Sequence, residues 1–170
     1  MICCVTGHRP NGFPFPPEDR ESLLEYKRRL YAEVRELLDR GYRHFITGMA
    51  DGVDLDFAIA VLFYKKKDPG IRLEAALPYP MIYTNSPVPY QKTKEEILSA
   101  CDELTVVSET YFEGCMQKRN CYMVDKADMI LAVWNGERKG GTWNTIRYAR
   151  SQRKPIRYLM LNELEQQRLF

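Results

Sequence analysis

The sequence predicts an α/β protein with a Rossmann-like three-layer fold, a mostly parallel sheet carrying helices on both faces. Three observations predict it. Short apolar runs alternate with longer segments of helical periodicity along the whole chain, which is the pattern of βαβ units. Gly-rich polar stretches follow apolar runs at Thr6–Pro10 and Thr47–Asp54, and Gly140-Gly141-Thr142 opens a helix-like run. At 170 residues, with no linker, repeat or low-complexity tract, positions 1–170 read as a single domain with a real core.

Ile2 to Val5 reads as a short buried strand that breaks at Gly7. Pro16 and Pro17, followed by Glu18 and Asp19, read as a helix start. Leu23, Leu30, Val34, Leu37 and Leu38 then recur at helical spacing, and Gly41 suits the helix end. Tyr42 to Thr47 is a second strand. Gly52 opens a second helix, which ends at Asp68-Pro69-Gly70. Arg72 to Leu77 is a third strand. Pro78 to Pro89, with Tyr79 and Tyr83, reads as an ordered loop near the ligand edge that either closes as a lid or only packs. Gln91 to Ala100 is helical, Glu103 to Val107 a fourth strand, and Gly114 to Lys126 a helix. Met129 to Trp134 is a fifth strand, Thr142 to Gln152 a helix, and Pro155 to Leu161 a final strand. The tail from Asn162 to Arg168 reads as a short closing helix.

Composition narrows the function classes. A net charge of +2 and a pI near 8.2 are too weak for a nucleic-acid footprint, which shows a strongly basic domain or stripe. The Lys65-Lys66-Lys67 run reads as a charge cluster at a helix C-terminus. Five cysteines form no CxxC pair, and with only two histidines no metal site is expected. No apolar stretch reaches membrane-spanning length, and no basic leader precedes the first strand. These features point to a reduced, cytoplasmic protein without a membrane partner.

In a parallel α/β sheet the three Gly-rich stretches lie outside the strand C-termini, where such folds bind ligands. A strand ending at Gly7 lets the backbone approach a ligand, and His8 and Arg9 can offer hydrogen bonds to phosphate or ribose. The alternative there is a plain tight turn with a solvated Arg. Gly48, Asp51, Gly52 and Asp54 have the strand–loop–helix layout of an anion cradle. The spacing is neither a Walker loop nor GxGxxG. Asp51 reads equally as an N-cap, and two acids here suit ribose hydroxyls better than phosphate. Arg119 and Asn120 fall in a helix with Met116 and Met123, where Arg119 is either a solvated surface residue or the guanidinium of the site. Thr142 fits a helix N-cap, and its hydroxyl and the following amides either hold a phosphate or belong to an ordinary cap on a flexible loop. Trp134 and Trp143 either stack on a base or pack. His44, at the start of the second strand, belongs to the opposite sheet edge and reads as structural.

Together these residues carry a resemblance. Gly48-x-Ala50-x-Gly52-Val53-Asp54-x-x-Phe57-Ala58 resembles the G-x-A-x-G-[IV]-D loop of the DprA/Smf proteins, and Arg119-Asn120 looks like their Arg-Asn motif. Met116-x-x-Arg119-x-x-x-Met123 is similar to the Met-x-x-Arg-Lys-x-x-Met segment of the LOG phosphoribohydrolases. Gly140-Gly141-Thr142 resembles the end of their Gly-Gly-x-Gly-Thr loop. The Thr-Gly-His-Arg-Pro start and the Arg119-Asn120-x-x-Met123-Val124-Asp125 run look closest to the YpsA-like branch of this SLOG superfamily. The resemblance implies a nucleotide- or ADP-ribose-like small ligand, and a homo-oligomer. Two departures matter. The LOG catalytic Glu position is Thr145, which cannot serve as a carboxylate, and Asn120 replaces the Lys after the motif Arg. The expectation is therefore a binding protein, with Gly7, Gly48, Gly52, Gly140 and Gly141 giving close backbone approach. Arg9 and Arg119 would pair with phosphate, Thr142 would donate, Asp54 would accept from ribose, and His8 would orient the ligand. The alternatives are an enzyme cleaving an N-glycosidic or phosphoribosyl bond, and a DprA-like single-stranded DNA factor.

Overall fold

A computed structural model describes residues 1–80 and 86–166. Six strands, β1 (Ile2–Gly7), β2 (His44–Thr47), β3 (Arg72–Leu77), β4 (Glu103–Val106), β5 (Met129–Trp134) and β6 (Ile156–Met160), form one sheet in the order β4-β3-β2-β1-β5-β6. All five pairings are parallel. Strands buried on both faces explain why β1 and β5 read as continuous apolar runs rather than alternating ones, while β3 buries Glu74 in an ion-paired cluster with His44 and Lys126.

The helices α1 (Arg20–Asp39), α2 (Val53–Lys65), α3 (Val88–Ala100), α4 (Cys115–Lys126), α5 (Gly140–Ser151) and α6 (Glu163–Gln166) alternate with the strands. The sheet residues show the layers by their alternation. Cys3, Val5, Phe45, Leu73 and Leu131 join the core with Leu30, Val34 and Phe57 of α1 and α2. Cys4, Ile46, Ala76 and Ile130 join Met123 and Val124 of α4 and Ala149 of α5 on the other face. The three-layer arrangement expected from the sequence is thus the observed one.

Differences concentrate at helix starts. The α1 helix begins at Arg20, not at Pro16-Pro17, because Asp19 caps it and accepts from the Ser22 amide at 3.1 Å. The α3 helix starts one turn early, at Val88, with a proline in its first turn. The β1 strand runs on through Gly7, which pairs with Val133. The β2 strand starts at His44, β4 ends at Val106 and β6 spans only Ile156–Met160. In the 78–90 stretch, positions 81–85 lie outside the described residues. Beside them Tyr79 packs edge-on against Tyr111, and Tyr90 is part of α3. The closing helix is α6, and positions 167–168 of the tail lie outside the described residues.

This order sets the ligand edge. From β1 the chain moves outward through β2, β3 and β4, then crosses back to place β5 on the other side of β1. Loops leaving β1 and β5 therefore diverge, and the crevice between their C-terminal ends is a topological switch point.

Candidate functional site

A cleft of about 270 Å³ opens at that point, lined by Gly7, His8, Arg9, Asp54, Arg119, Asn120, Gly141 and Thr142, with Ala50, Asn11, Gly12 and Met116. Residues from four separate loops and helices that the sequence singles out thus meet in one place. Gly48, Asp51, Gly52 and Gly140 do not line it, and their positions explain their roles.

Arg119 is the centre of the cleft floor. It lies on α4 with only 5% exposure, where the sequence left a solvated surface residue open. Its Nη1 donates to the Gly48 carbonyl and, at 3.4 Å, to the Ala76 carbonyl. Its Nε donates to Asn120 Oδ1 at 2.8 Å. These bonds fix the guanidinium plane and leave Nη2 without a protein partner among the described residues. No fully buried side-chain polar atom there lacks a hydrogen bond, so Nη2 keeps some exposure, and Arg119 is a wall of the cleft. Gly48 makes this possible by close approach, since a Cβ there would lie 2.6 Å from Arg119 Nη1 and 2.7 Å from Asp54 Oδ2. Burial lowers the Arg119 pKa, with Asp54 opposing it and Arg9 reinforcing it. Burial likewise raises the Asp54 pKa above the usual carboxylate range, against the pull of Arg119, the Ala50 amide, Arg9 and Lys94.

The loop before α2 is satisfied from within. Gly52 takes φ +96°, and a Cβ on it would sit 2.6 Å from the His8 carbonyl oxygen. That carbonyl accepts the Val53 amide at 3.2 Å. Asp54 Oδ2 accepts the Ala50 amide at 3.2 Å, and Thr47 Oγ1 donates to the Asp54 carbonyl at 2.7 Å. Met49, fully buried at φ 60°, is held in that left-handed conformation by its amide donating to Thr47 Oγ1 at 3.3 Å. Asp51 is not an N-cap, a place Gly52 takes. It pairs instead with the Lys94 ammonium at 2.7 Å, and its Oδ1 accepts from Ser86 Oγ at 2.9 Å. Lys94 in turn donates to Ser86 Oγ at 2.6 Å, which ties the loop to α3.

The start of α5 is the opposite. Its N-cap is Lys139, with no side-chain cap bond and no acid in the first turn. Thr142 is therefore not the cap. The helix begins two residues earlier because no side chain stops it at Thr142, whose hydroxyl makes no bond among the described residues. A Cβ at Gly140 or Gly141 would meet nothing within 4 Å. Thr145, buried one turn on, donates its hydroxyl back to the Gly141 carbonyl at 2.9 Å, so a hydroxyl turned onto its own helix stands at the position of a LOG carboxylate.

His8 links the two diverging loops. Its Nε2 accepts the Asn135 amide at 3.2 Å, and Asn135 Nδ2 donates to the Gly12 carbonyl at 3.0 Å. Burial lowers the His8 pKa, so the neutral ring keeps its one proton on Nδ1. Arg9 is exposed, and among the described residues its guanidinium makes no hydrogen bond or ion pair. Trp134 and Trp143 stack on each other at 5.5 Å, with Arg138 and Arg150 over the Trp143 ring, so these rings pack together. At the far sheet edge His44 bonds to Glu74 as expected of a structural residue. With Glu103 it forms a metal-like cluster, but the Lys126 ammonium already bonds both carboxylates, at 2.8 and 3.0 Å.

Sequence reasoning missed Lys94 and Asn135. Lys94 had a signal, since it shares the inward face of α3 with Tyr90 and Ile97 at helical spacing. Asn135 had none for this role, because its partners across the site, His8 and Gly12, are more than 120 residues away.

The sequence model of the YspA SLOG family (YpsA) matches residues 3–164. The chain is 31% identical over 142 residues to the uncharacterized SPbeta prophage-derived protein YoqJ of Bacillus subtilis (strain 168), covering 76% of this chain and 82% of that one. It is 21% identical over 169 residues to the UPF0398 protein YpsA of the same strain, covering 96% and 94%. The UPF0398 protein BH1768 of Halalkalibacterium halodurans is 24% identical over 170 residues, covering 96% and 90%. Among the described residues no helix is long and apolar enough to cross a membrane.

Proposed function

The chain belongs to the YspA SLOG family, and from that premise we propose that it binds a nucleotide-derived phosphate ester in the cleft between β1 and β5. One observation carries the reading. The uncapped N-terminus of α5 and the unpartnered Nη2 of a buried arginine, Arg119, share a single cleft with the free cation Arg9. Helix amides and a pre-oriented guanidinium are the donors a phosphate needs, and the guanidinium is already largely buried. In this reading the phosphate sits on the Gly141 and Thr142 amides between Arg119 and Arg9. The Thr142 hydroxyl adds a bond. Gly7 lines the cleft, but the space left by its missing Cβ is taken by Val53, 2.4 Å from where that Cβ would stand, so this glycine serves packing against α2 rather than ligand approach. Asp54, across the same cleft, accepts from ribose hydroxyls, and His8 Nδ1 orients the ligand. Asn120 acts through Arg119 by fixing its plane.

Binding is favoured over turnover because Thr145 leaves no carboxylate at the LOG position. A single-stranded DNA factor is disfavoured because a cleft of about 270 Å³ suits a small molecule. The test is a thermal-shift panel of AMP, NAD, ADP-ribose and cyclic AMP, with chromatographic analysis of each mixture. One member should raise Tm and be recovered intact. Arg9→Ala, which removes no contact of the fold, should weaken that binding about tenfold, or about 1.4 kcal/mol. A flat panel, or undiminished binding by Arg9→Ala, sinks the assignment. Release of a free base would move it to the N-glycosidic reading.

A further inference from the structure

The loop after β1 has two sides. Arg9, Asn11 and Gly12 line the cleft, whereas Pro10, Phe13 and Phe15 line a separate pocket of about 310 Å³ between α1, α2 and α3. Phe13, Phe15 and Pro17 build one wall of it from the run Phe13-Pro14-Phe15-Pro16-Pro17. Pro17, expected to open a helix, thus serves the pocket instead. Three prolines among these five residues fix φ, so the wall loses little freedom when a ligand arrives. Phe15 is buried although it lies on a loop, and the Phe13 ring meets Phe15 at 5.4 Å and Tyr26 at 5.0 Å. The other walls include Leu55 and Ile59 of α2 and Tyr90 of α3. We propose that this pocket binds an organic ammonium with an apolar or aromatic body, its charge on Asp56 and its body against the Phe13 and Tyr90 rings.

Among the described residues Asp56 is the one carboxylate lining this apolar space. The Tyr26 hydroxyl donates to its Oδ2 at 3.2 Å. The Lys27 ammonium stands 3.6 Å from its Oδ1, longer than an ordinary hydrogen bond. Burial leaves the Asp56 carboxyl above the usual carboxylate range, so Tyr26 and Lys27 do not offset what it loses by leaving water. A ligand ammonium supplies the missing charge. Lys27 gives way readily, because its side chain is 46% exposed and returns to solvent. Aromatic faces attract a cation as well as an apolar body, which suits the Phe13 and Tyr90 walls. An anion would gain Lys27 but would lie beside the Asp56 carboxylate. A volume at the lower end of ligand pockets, roughly 300–1,000 Å³, limits the body to about one ring system. Neither Asp54 nor Arg119 lines this pocket, so the site stands apart from the phosphate reading.

The experiment is calorimetric titration of the full chain with 2-phenylethylamine, L-phenylalanine and 3-phenylpropionate. At least one of the two ammonium compounds should bind about tenfold tighter than 3-phenylpropionate or more. The tighter of the two tells a simple amine from an amino acid. Asp56→Asn keeps the side-chain shape and an acceptor for Tyr26, and it should weaken that binding about tenfold. Ile59→Trp, at a position 40% exposed on α2, fills the pocket without entering the core and should abolish binding. Lys27→Met removes the rival cation and should bind at least as tightly as the parent chain. The proposal is overturned if 3-phenylpropionate binds as well as both ammonium compounds, or if neither of these binds. Undiminished binding by Asp56→Asn or by Ile59→Trp, or weakened binding by Lys27→Met, overturns it too.

Discussion

The two Gly-rich helix starts of this molecule look alike in sequence and are opposites in structure. Each places glycines where a sheet strand gives way to a helix at the ligand edge. The α2 start is closed. The His8 carbonyl takes its first amide, and Asp54 and Asp56 supply negative charge in its first turn. The α5 start is open, with no cap bond, no first-turn acid and empty space beside both glycines. The difference teaches that a glycine-rich loop is an anion site only if the protein has not already spent its donors. At α2 they hold the fold together, and a ligand meets the Asp54 carboxylate there. At α5 they remain for an incoming phosphate.

The largest effect should come from breaking the closed side. Gly52→Ala forces a Cβ to 2.6 Å from a backbone oxygen at φ +96°. It should cost about 3 kcal/mol in urea unfolding, since neither the carbonyl nor the backbone can yield cheaply. A loss below about 1 kcal/mol would mean that the His8 carbonyl is not fixed over α2.

Next is the tie between that loop and α3. Lys94 and Asp51 are both largely buried, with side chains 3% and 11% exposed. Lys94→Met should cost about 3 kcal/mol by stranding the carboxylate, and adding Asp51→Leu should restore much of it. If the double variant is no more stable than the single one, the pair is not what holds the loop.

How far this was legible follows from what decides each feature. The β5 strand could be read to the residue because both faces are buried and the apolar run marks its own ends, and β3 because Gly70 and Pro78 bound it. Helix starts could not, because the presence or absence of a cap bond decides them. Asp19 caps α1 so that it begins at Arg20 rather than Pro16, and with no cap bond at Thr142 α5 begins at Gly140. The set of residues lining the cleft was largely readable, since strand order sends those loops to one edge. Their division of labour was not. Whether Gly52 receives a ligand or the His8 carbonyl depends on a contact across 45 positions of chain. Arg119 had a local hint, lying between Met116 and Met123 on the helix stripe that packs inward, but a helical Arg in isolation reads as solvated.

The pH dependence of binding separates the roles of the two starts further. The pKa of Asp54 stands above the usual carboxylate range, so it takes up a proton earlier on acidification than an exposed Asp does. Protonation removes its charge and leaves a poorer acceptor for ribose hydroxyls. Affinity should therefore fall as pH drops, beginning above the ordinary carboxylate pKa of about 3.9, and Asp54→Asn should flatten the profile. For folding the sign reverses. A raised native pKa means that the native state binds the proton more tightly, so acidification through it adds stability from this group. Calorimetric titration and urea unfolding across the same pH series should thus move in opposite directions in their Asp54-dependent parts. A binding profile that is the same in the parent chain and in Asp54→Asn would place Asp54 outside the binding surface.

The smallest effect on the fold should be the most telling for the site. Gly141→Ala meets no atom within 4 Å and lies in a helix, where Ala is favoured over Gly. Stability should be unchanged or higher by at most about 1 kcal/mol. Yet Gly141 lines the cleft beside Thr142, so the added methyl stands where a phosphate would approach the α5 amides. Affinity for the best member of the nucleotide panel should therefore fall about tenfold while Tm without ligand holds or rises. Gly52→Ala should do the reverse, damaging the fold first. If Gly141→Ala binds like the parent chain, the open helix start is not where the anion rests. The closed start, with Arg119 behind Gly48, would then have to rearrange to receive it.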